Sequence, residues 1–301
     1  MNKFTEKMNA VVEKLAQPQS CRDLFREYND GAPLPSGKAL EEIIELVRSI
    51  MFPGYYGNCT VNTGTLRFHL GVNIEKLYTL LIEQIQSGLS FADFRDVAAY
   101  AAYNRQTIIK ELHRMATVRA EAFIERLPDI RRILATDVKA AYDGDPAAKN
   151  FGEIISCYPI IKVLTIYRMA HVLWELEVPL IPRMLTELAH SETDVDIHPG
   201  AQIGEYFTID HGTGVVIGET TIIGNNVKLY QGVTLGAKSF PLDENGNPIK
   251  GILRHPIIED DVIIYSNASI LGRVTIGKGA VIGSNVSISH DVPAGTTVTQ
   301  K

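Results

Sequence analysis

Cysteine is scarce in this chain of 301 residues. Three are present, Cys21, Cys59 and Cys157, and they are far apart and odd in number. Such a set supplies neither a disulfide framework nor a paired Cys-x-x-Cys metal site. The compartment predicted for the chain is therefore a reducing cytoplasm.

Excess basic charge and long uninterrupted apolar runs are also missing. The formal net charge is −6, which argues against nucleic acid as a partner, because binding to it depends on a basic surface. The start of the chain has no basic region followed by an apolar stretch, so no signal peptide is predicted. The most apolar segment, 154–182, predicts buried amphipathic helices rather than a membrane span, since titratable residues interrupt it: Lys162, Arg168, His171, Glu175 and Glu177.

Apolar residues in the first half of the chain recur at helical spacing. Residues 91–126 alternate apolar and charged faces with a period of about 3.6. Pro128 and Pro159 are interpreted as first turns of further helices, where the missing N–H donor of proline would be unpaired in any case. With 45% hydrophobic and 21% charged residues, a chain of this length can bury the cores of two domains. We predict an all-α domain over residues 1–190.

A six-residue period replaces the helical one after residue 190. Hexapeptide periodicity is typical of a parallel β-helix, in which one aliphatic residue per short strand points inward and three strands close a coil of about 18 residues. A β-sandwich with chance spacing is the alternative, and six isoleucines in strict register disfavour it. We predict an α+β fold in two parts, with a left-handed parallel β-helix over residues 191–301. The aliphatic residues form three sets, with a two-residue shift between the first and the second: Ile197, Ile203, Ile209 and Val215; Ile217, Ile223, Leu229 and Leu235; Ile258, Ile264, Ile270, Ile276, Ile282 and Ile288.

The hexapeptide register breaks between Leu235 and Ile258. Residues 239–253 are rich in turn formers, with Asn245-Gly246 and Asn247-Pro248 among them. A coil of fixed circumference cannot absorb such an insertion, so a loop is predicted to protrude at about 238–254. Long loops on a regular scaffold are often functional.

The predicted β-helix contains a histidine suited to proton transfer. His211 lies two residues after the inward-pointing Ile209, so its side chain is predicted to leave the coil edge, where an imidazole can act as a general base. Asp196 and Asp210 are the candidate carboxylates that would hold the imidazole in one tautomer. Asp196 precedes His211 by 15 residues, close to one coil, so the two could meet on adjacent coils. The alternative is a solvated surface histidine without a role.

Metal and covalent catalysis fit the sequence less well. The histidines at 198, 211, 255 and 290 are separated by 13, 44 and 35 residues. Zinc hydratases built on a β-helix resemble a different pattern, with two closely spaced histidines and a third, so no metal is predicted. No cysteine follows Cys157, so the β-helix offers no thiolate to carry an acyl group. Direct attack in a ternary complex is the simpler chemistry.

Several motifs together resemble the serine acetyltransferase family. The β-helix carries VDIHPGAQIG (195–204), IDHGTGVVIGET (209–220), QGVTLG (231–236) and RHP (254–256), and the helical half carries GDPA (144–147) and YRMAH (167–171). Hexapeptide repeats alone would indicate an acyltransferase-like scaffold, whereas DHGTG, GET and RHP in this order are more specific. The resemblance implies transfer of acetyl from acetyl-coenzyme A to the hydroxyl of L-serine in cysteine biosynthesis, without an acyl-enzyme.

The resemblance also implies roles for individual residues. His211 takes the proton of the serine hydroxyl and returns one to the leaving thiolate, while Asp196 orients the imidazole. Asp210 and His255 form a second pair bordering the amino acid, with Glu219 near by.

Two anchors for the serine zwitterion follow from the same resemblance. Arg254 holds the carboxylate, a role that suits its planar fork of donors. Asp145 accepts from the ammonium. The alternatives are that Asp145 is a helix N-cap before Pro146 and that Arg254 is a plain surface charge.

The coenzyme A contacts implied by the family fall on small residues. They are Gly236, Ala237, Ser266 and Ser284, which let the pantetheine arm approach closely. The sequence departs from the commonest family pattern here, because Gly236-Ala237-Lys238 replaces a Gly-Gly-Thr turn and the loop after it is longer than usual.

The resemblance further implies an assembly and a regulation. Family members are trimers, often joined as dimers of trimers, with active sites between subunits, and they are commonly inhibited by cysteine. Many members end in a tail with a terminal isoleucine that docks into O-acetylserine sulfhydrylase. This sequence ends at Thr299-Gln300-Lys301, so stable docking by that route is not expected.

Two other functions stay open at the level of sequence. One is acetylation of another hydroxyl acceptor, such as a sugar or homoserine. The other is a non-catalytic trimeric scaffold or a metal hydratase. Arg254 and Asp145 separate serine from a sugar, because a sugar has neither a carboxylate nor an ammonium.

Overall fold

A computed structural model describes residues 3–17, 34–57, 60–93 and 105–300. Cys21, Cys59 and the 94–104 part of the predicted helical run lie outside these described residues.

Helices make up the first part of the chain. Pro159 stands in the first turn of its helix, which confirms that prediction. No helix of the described ranges is long and apolar enough to cross a membrane. Those ranges contain seven helices: α1 Lys3–Leu15, α2 Gly37–Met51, α3 Leu66–Asp93, α4 Arg105–Gly144, α5 Phe151–Cys157, α6 Pro159–Glu175 and α7 Ile181–Thr193.

The prediction for Pro128 was wrong, because this proline lies inside α4 rather than at the start of a helix. A proline within a helix removes one backbone hydrogen bond and crowds the preceding turn. The helix continues because its buried face runs on at spacings of four and three residues, through Phe123, Leu127, Ile130 and Leu134. Packing of that face outweighs the local cost of the proline.

The second part of the chain is a parallel β-solenoid of about five turns, which confirms the predicted fold class. Each of the first four coils contributes one strand to each of three faces, and the last contributes strands to faces 1 and 3. Face 1 holds β1, β4, β7, β10 and β13, face 2 holds β2, β5, β8 and β11, and face 3 holds β3, β6, β9, β12 and β14. The strands are β1 Asp196–Ile197, β2 Gln202–Ile203, β3 Thr208–Asp210, β4 Val216–Ile217, β5 Ile222–Ile223, β6 Lys228–Tyr230, β7 Thr234–Gly236, β8 Ile257–Ile258, β9 Ile263–Ile264, β10 Ser269–Leu271, β11 Thr275–Ile276, β12 Val281–Ile282, β13 Ser287–Ile288 and β14 Thr297–Val298.

The core of the solenoid is the hexapeptide set itself. Ile264, Ile270 and Ile276, from three successive faces, are fully buried, and every aliphatic residue of the three predicted sets is buried as well. Ile217 lies in register with Leu235, and Leu235 with Ile270, so each coil buries its apolar row against the next.

Two edges of the solenoid carry the candidate site. The His211 edge is formed by the turns from face 3 to face 1, at 211–215, 231–233, 265–268 and 283–286. The Arg254 edge is formed by the turns from face 1 to face 2, at 198–201, 218–221, 237–256 and 272–274. The two-residue shift of the repeat falls in the first turn of the His211 edge, and the long insertion falls in the Arg254 edge.

Side chains of the helical part bind the first coil. The Arg168 guanidinium in α6 forms a buried ion pair with Asp137 in α4, at 3.1 Å, and it donates to the carbonyl oxygens of Ile203 and Gly204. Tyr167 donates to the carbonyl oxygen of Ala201 at 2.6 Å. The YRMAH motif therefore joins the helices to the solenoid.

Candidate active site

The first turn of the His211 edge presents an exposed imidazole. His211 follows β3 directly and adopts a left-handed backbone conformation, with φ 60°. Its side chain is 75% exposed, and its Nε2 lies 3.9 Å from an Asp210 carboxylate oxygen. This distance is too long for a hydrogen bond but close enough for the charges to interact. The turn is anchored to the end of α7 by Gly214, whose N–H donates to the carbonyl oxygen of Asp194 at 2.8 Å.

Beside His211, an anionic pocket opens between the end of α4 and face 3. Its two carboxylates are Asp145 and Asp210, both predicted from the sequence. Lys228 lies between them and contacts an Asp210 carboxylate oxygen at 3.4 Å and the Gly144 carbonyl oxygen at 2.6 Å. The lining residues are Ala141, Gly144, Asp145, Tyr158, Thr208, Ile209, Asp210 and Lys228.

Asp145 is not a helix N-cap, so that alternative was wrong. It stands in a turn after α4, where its Oδ1 accepts the Ala147 N–H at 2.8 Å, and the cap of the next helix, α5, is Asn150. The Tyr158 hydroxyl donates to the other carboxylate oxygen. Hydrogen bonds from Tyr158 and Ala147 lower the pKa of Asp145, and the nearby charge of Lys228 adds to the effect. The carboxylate is therefore fixed in its ionised form.

No hydrogen bond joins Asp196 to His211 among the described residues. The Asp196 carboxylate lies instead with Glu187 and His190 of α7, and the ligand atoms of the three lie within 4.8 Å of one another. This is the group in the described part of the chain that could hold a metal ion. Glu187 already forms an ion pair with Arg183, which competes with a metal for its carboxylate.

The Arg254 edge holds a second cluster, built around the GET and RHP motifs. The Arg254 guanidinium donates to a Glu219 carboxylate oxygen at 2.7 Å. The backbone N–H groups of Arg254 and His255 both donate to the Thr220 hydroxyl oxygen, at 3.0 and 3.2 Å. The structure thus brings together Arg254, His255 and Glu219, with Thr220 as the residue that ties them.

His255 is a buried, neutral imidazole. It is 7% exposed, and its Nδ1 accepts the Thr220 backbone N–H at 3.1 Å. Burial, and after it the neighbouring charge of Arg254, lower the pKa of His255 to about 4. With Nδ1 as an acceptor, the ring carries its proton on Nε2. Gly218 makes room for the ring, because a Cβ at this position would lie 2.1 Å from its Cδ2.

The four residues predicted to contact coenzyme A are divided between the two edges. Ser266 and Ser284 stack on the His211 edge, with their hydroxyl oxygens 3.2 Å apart. At about 4.8 Å per coil, they lie about 10 and 14 Å from His211 along this edge. Gly236 is the last residue of β7, and Ala237 follows it at the start of the Arg254 edge.

Face 1 separates the two clusters within one copy of the chain. His211, Asp210 and Asp145 lie on one side of it, while Arg254, His255 and Glu219 lie on the other. The sequence analysis missed Tyr158, Lys228 and Thr220. Only Thr220, in the GET motif, carried a signal that could have been used.

Known proteins similar to this chain identify its family. Residues 255–290 match the family described as "Bacterial transferase hexapeptide (six repeats)". Together with the coil geometry and the edge histidine, this match defines a hexapeptide-repeat acyltransferase. "Serine acetyltransferase, plasmid" of Synechococcus elongatus is 47% identical over 268 residues, covering 89% of this chain and 82% of that protein. The chain belongs to the serine acetyltransferase family, which confirms the resemblance inferred from its motifs.

Solved structures support the same assignment. Serine acetyltransferase 1 of Entamoeba histolytica, in complex with L-cysteine, has a TM-score of 0.73 and 37% identity, covering 85% of this chain and 86% of that one. The serine acetyltransferase of Neisseria gonorrhoeae in complex with serine has a TM-score of 0.54 and 25% identity, covering 87% and 95%.

Proposed function

We propose that the two edges of the solenoid form the active site of this serine acetyltransferase, which takes acetyl from acetyl-coenzyme A and gives O-acetyl-L-serine and coenzyme A. The observation that carries the proposal is the pairing of an exposed imidazole on one edge with an arginine–histidine–glutamate cluster on the other. One edge supplies a base and an anionic pocket, and the other supplies a cation.

In this mechanism His211 is the general base. Its imidazole takes the proton of the serine hydroxyl as the hydroxyl oxygen attacks the thioester carbonyl carbon. The tetrahedral intermediate collapses, the carbon–sulfur bond breaks, and the imidazolium returns its proton to the leaving thiolate. Asp210, 3.9 Å away, is the nearer carboxylate to steady the imidazolium, while Asp196 is the partner that the family resemblance implies. Catalytic hydrogen bonds are often long in unliganded enzymes and tighten in the complex.

The acceptor is bound as a zwitterion in the proposed site. Asp145, held ionised by Tyr158, accepts from the ammonium. Arg254 donates one N–H to Glu219 and another to the Ile252 carbonyl oxygen. Its other N–H donors are available for the carboxylate of the bound serine. The neutral His255 borders the amino acid without adding charge. These anchors leave the hydroxyl as the group that faces the base.

Acetyl-coenzyme A is proposed to lie along the His211 edge. Ser266 and Ser284 have small side chains that carry hydroxyl groups. They lie on successive coils, at increasing distance from His211. Gly236 and Ala237 of the other edge complete the groove. Because face 1 separates the two edges within one copy, the two sides of the groove come from different copies of the chain in this proposal.

We therefore propose a trimer in which the His211 edge of one copy faces the Arg254 edge of the next. In a ring with threefold symmetry each copy contributes both edges, so three complete sites form.

This arrangement is tested by mixing two variants that are inactive alone, His211→Ala and Arg254→Ala. Each mixed trimer contains one site with an intact edge from each variant. Equal co-expression should restore about a quarter of the wild-type activity, since about three trimers in four are mixed and one of their three sites is complete. No recovery in trimers shown by mass spectrometry to be mixed would reject the shared site.

The acceptor is tested by thiol release from acetyl-coenzyme A with L-serine, homoserine and a panel of sugars. Release with L-serine is expected, and His211→Ala should lower its rate by about 10²–10⁴. Activity with a sugar and none with L-serine would defeat the proposed function.

A further inference from the structure

We propose that Lys228 and Tyr158 are positioning residues that set the charge and the orientation of the ammonium anchor. Lys228 balances Asp210 and ties it to the end of α4, while Tyr158 holds Asp145. The anchor is thereby left with one net negative charge, which matches a single ammonium. This inference rests on the proposed function, since it concerns how the same site takes an α-amino acid.

Lys228 reaches Asp210 from the neighbouring coil. In the parallel pairing of β3 with β6, Lys228 lies beside Thr208 and Tyr230 beside Asp210. The lysine side chain is 18% exposed and turns toward Asp210, with its Nζ 3.4 Å from a carboxylate oxygen. The Tyr230 ring supports it, with the ring centroid 4.7 Å from Nζ. A lysine placed in this way is held by the protein rather than free in solvent.

The same ammonium also fixes the backbone that carries Asp145. Lys228 donates to the carbonyl oxygen of Gly144, the residue directly before Asp145, at 2.6 Å. A Cβ at position 144 would lie 3.3 Å from Nζ, so glycine leaves the lysine room to approach the carbonyl. One side chain thus connects β3, through Asp210, with the end of α4.

Charge balance explains why the pocket contains a resident cation. Two carboxylates that face one small pocket repel each other, and in the absence of a cation one of them tends to bind a proton. Lys228 beside Asp210 balances one of the two carboxylate charges, so the pocket carries one net negative charge. An incoming ammonium is then attracted to Asp145, the carboxylate that has no direct cationic partner among the described contacts.

Tyr158 settles the orientation of that free carboxylate. Its hydroxyl donates to one oxygen of Asp145, and the Ala147 N–H donates to the other. Each oxygen keeps lone pairs for an ammonium, because a carboxylate can accept about four hydrogen bonds. The hydrogen bond to Asp145 raises the pKa of Tyr158 to about 12, so the phenol remains a donor throughout the physiological range.

Tyr158→Phe is the first test, because it removes a hydroxyl and keeps the ring. A lost hydrogen bond to a charged group should raise the KM for L-serine about tenfold. The KM for acetyl-coenzyme A and the kcat at saturating serine should stay within about twofold, since neither residue touches the reacting atoms.

The pH profile separates positioning from a merely structural role. Tyr158 and Lys228 both lower the pKa of Asp145. Removing either one should let this pKa rise, so the acidic limb of 1/KM for serine, which reports the binding step rather than proton transfer to His211, should move to higher pH. The titratable or charged groups that face Asp145 or its partner Tyr158 are Lys228, His211, Asp210 and Glu153.

Lys228→Met and Lys228→Arg form the second pair. The methionine variant should raise the KM for serine and shift the acidic limb in the same direction, and the arginine variant should restore most of both. If Lys228→Met fails to fold, Tyr158→Phe and Lys228→Arg still test whether these two residues position the ammonium anchor.

Matched controls exist on α4 and the first coil. Lys139 and Tyr206 both contact Asp143, so they form a similar lysine–carboxylate–tyrosine group outside the pocket. Tyr206→Phe and Lys139→Met should change neither the serine KM nor the pH limb. A serine KM and pH profile unchanged in Tyr158→Phe and Lys228→Met would overturn the inference while leaving the proposed function intact. A wild-type enzyme that does not acetylate L-serine would overturn both.

Discussion

The two edges of the solenoid are built by the same repeat yet hold their histidines in opposite states. His211 stands exposed on a widened turn, with its nearest carboxylate at 3.9 Å. His255 is buried at the end of the long insertion, where its ring accepts from Thr220, and Arg254 and Arg273 are its cationic neighbours. Burial beside cations lowers the pKa of His255 to about 4, so its imidazole stays neutral at pH 7. The comparison shows that solvent exposure, rather than residue type, distinguishes the two roles. The exposed His211 can transfer protons, whereas the buried His255 maintains the structure of the Arg254 edge.

The largest effect should follow from removing the exposed histidine. His211→Ala is expected to lower kcat by about 10²–10⁴, the usual range for losing a general base, with the fold unchanged because the side chain packs against little. Steady-state thiol release measures this. His290→Ala, at another exposed histidine on the solenoid, is the control and should keep full activity. Full activity in His211→Ala would remove this residue from its role and undo the contrast between the edges.

A smaller effect on activity is expected from changing Arg254, the cation of the other edge. Arg254→Lys should raise the KM for L-serine about 10–100-fold, because one ammonium cannot reproduce the two parallel donors of a guanidinium. The control is Arg132→Lys, an exposed residue whose partner is Glu205. Serine saturation curves at fixed acetyl-coenzyme A distinguish the two. An unchanged serine dependence in Arg254→Lys would reject the carboxylate anchor.

The smallest effect concerns stability in acid. Burial lowers the pKa of both His198 and His255 to about 4, below the value of about 6.5 for an unfolded chain. The unfolded state therefore binds more protons below pH 6.5, so folding stability is lost as the pH falls from about 6.5 to 4. Each histidine should contribute up to about 2 kcal/mol of loss at pH 5.

Urea denaturation at a series of pH values measures this slope. His198→Gln and His255→Gln should each flatten it between pH 6.5 and 4, whatever they do to stability at pH 8. His290→Gln serves as the control. If the two variants keep the wild-type slope, the buried histidines are not neutral in the folded state, and the contrast with His211 weakens.

Much of the solenoid could be predicted because its rule is local and repeated. Inward aliphatic residues at a six-residue period predicted the strands, and the six isoleucines of the last set are all buried as expected. Departures from the period were equally informative. The two-residue shift lies in the turn that carries His211, and the insertion lies in the edge that carries Arg254.

Other features could not be predicted, since they depend on contacts distant in sequence. Pro128 interrupts the helical pattern locally, yet packing carries α4 past it. Tyr158 and Lys228 reach the anionic pocket from the start of α6 and from the second coil, and neither stands in a recognisable motif. Asp196 was expected to meet His211 on adjacent coils, but its carboxylate lies toward α7 instead.

The contact between the helices and the first coil has a consequence for growth of the stack. A terminal coil exposes backbone groups that would pair with another coil, and such open ends invite end-to-end association. Here, side chains of α4 and α6 occupy them. Tyr167, Arg168 and His171 bind successive carbonyl oxygens of the first coil, and Thr136 and Asp137 accept its N–H groups at positions 206 and 207. The helical part thus caps the solenoid, and fibre formation by strand addition is blocked at that end.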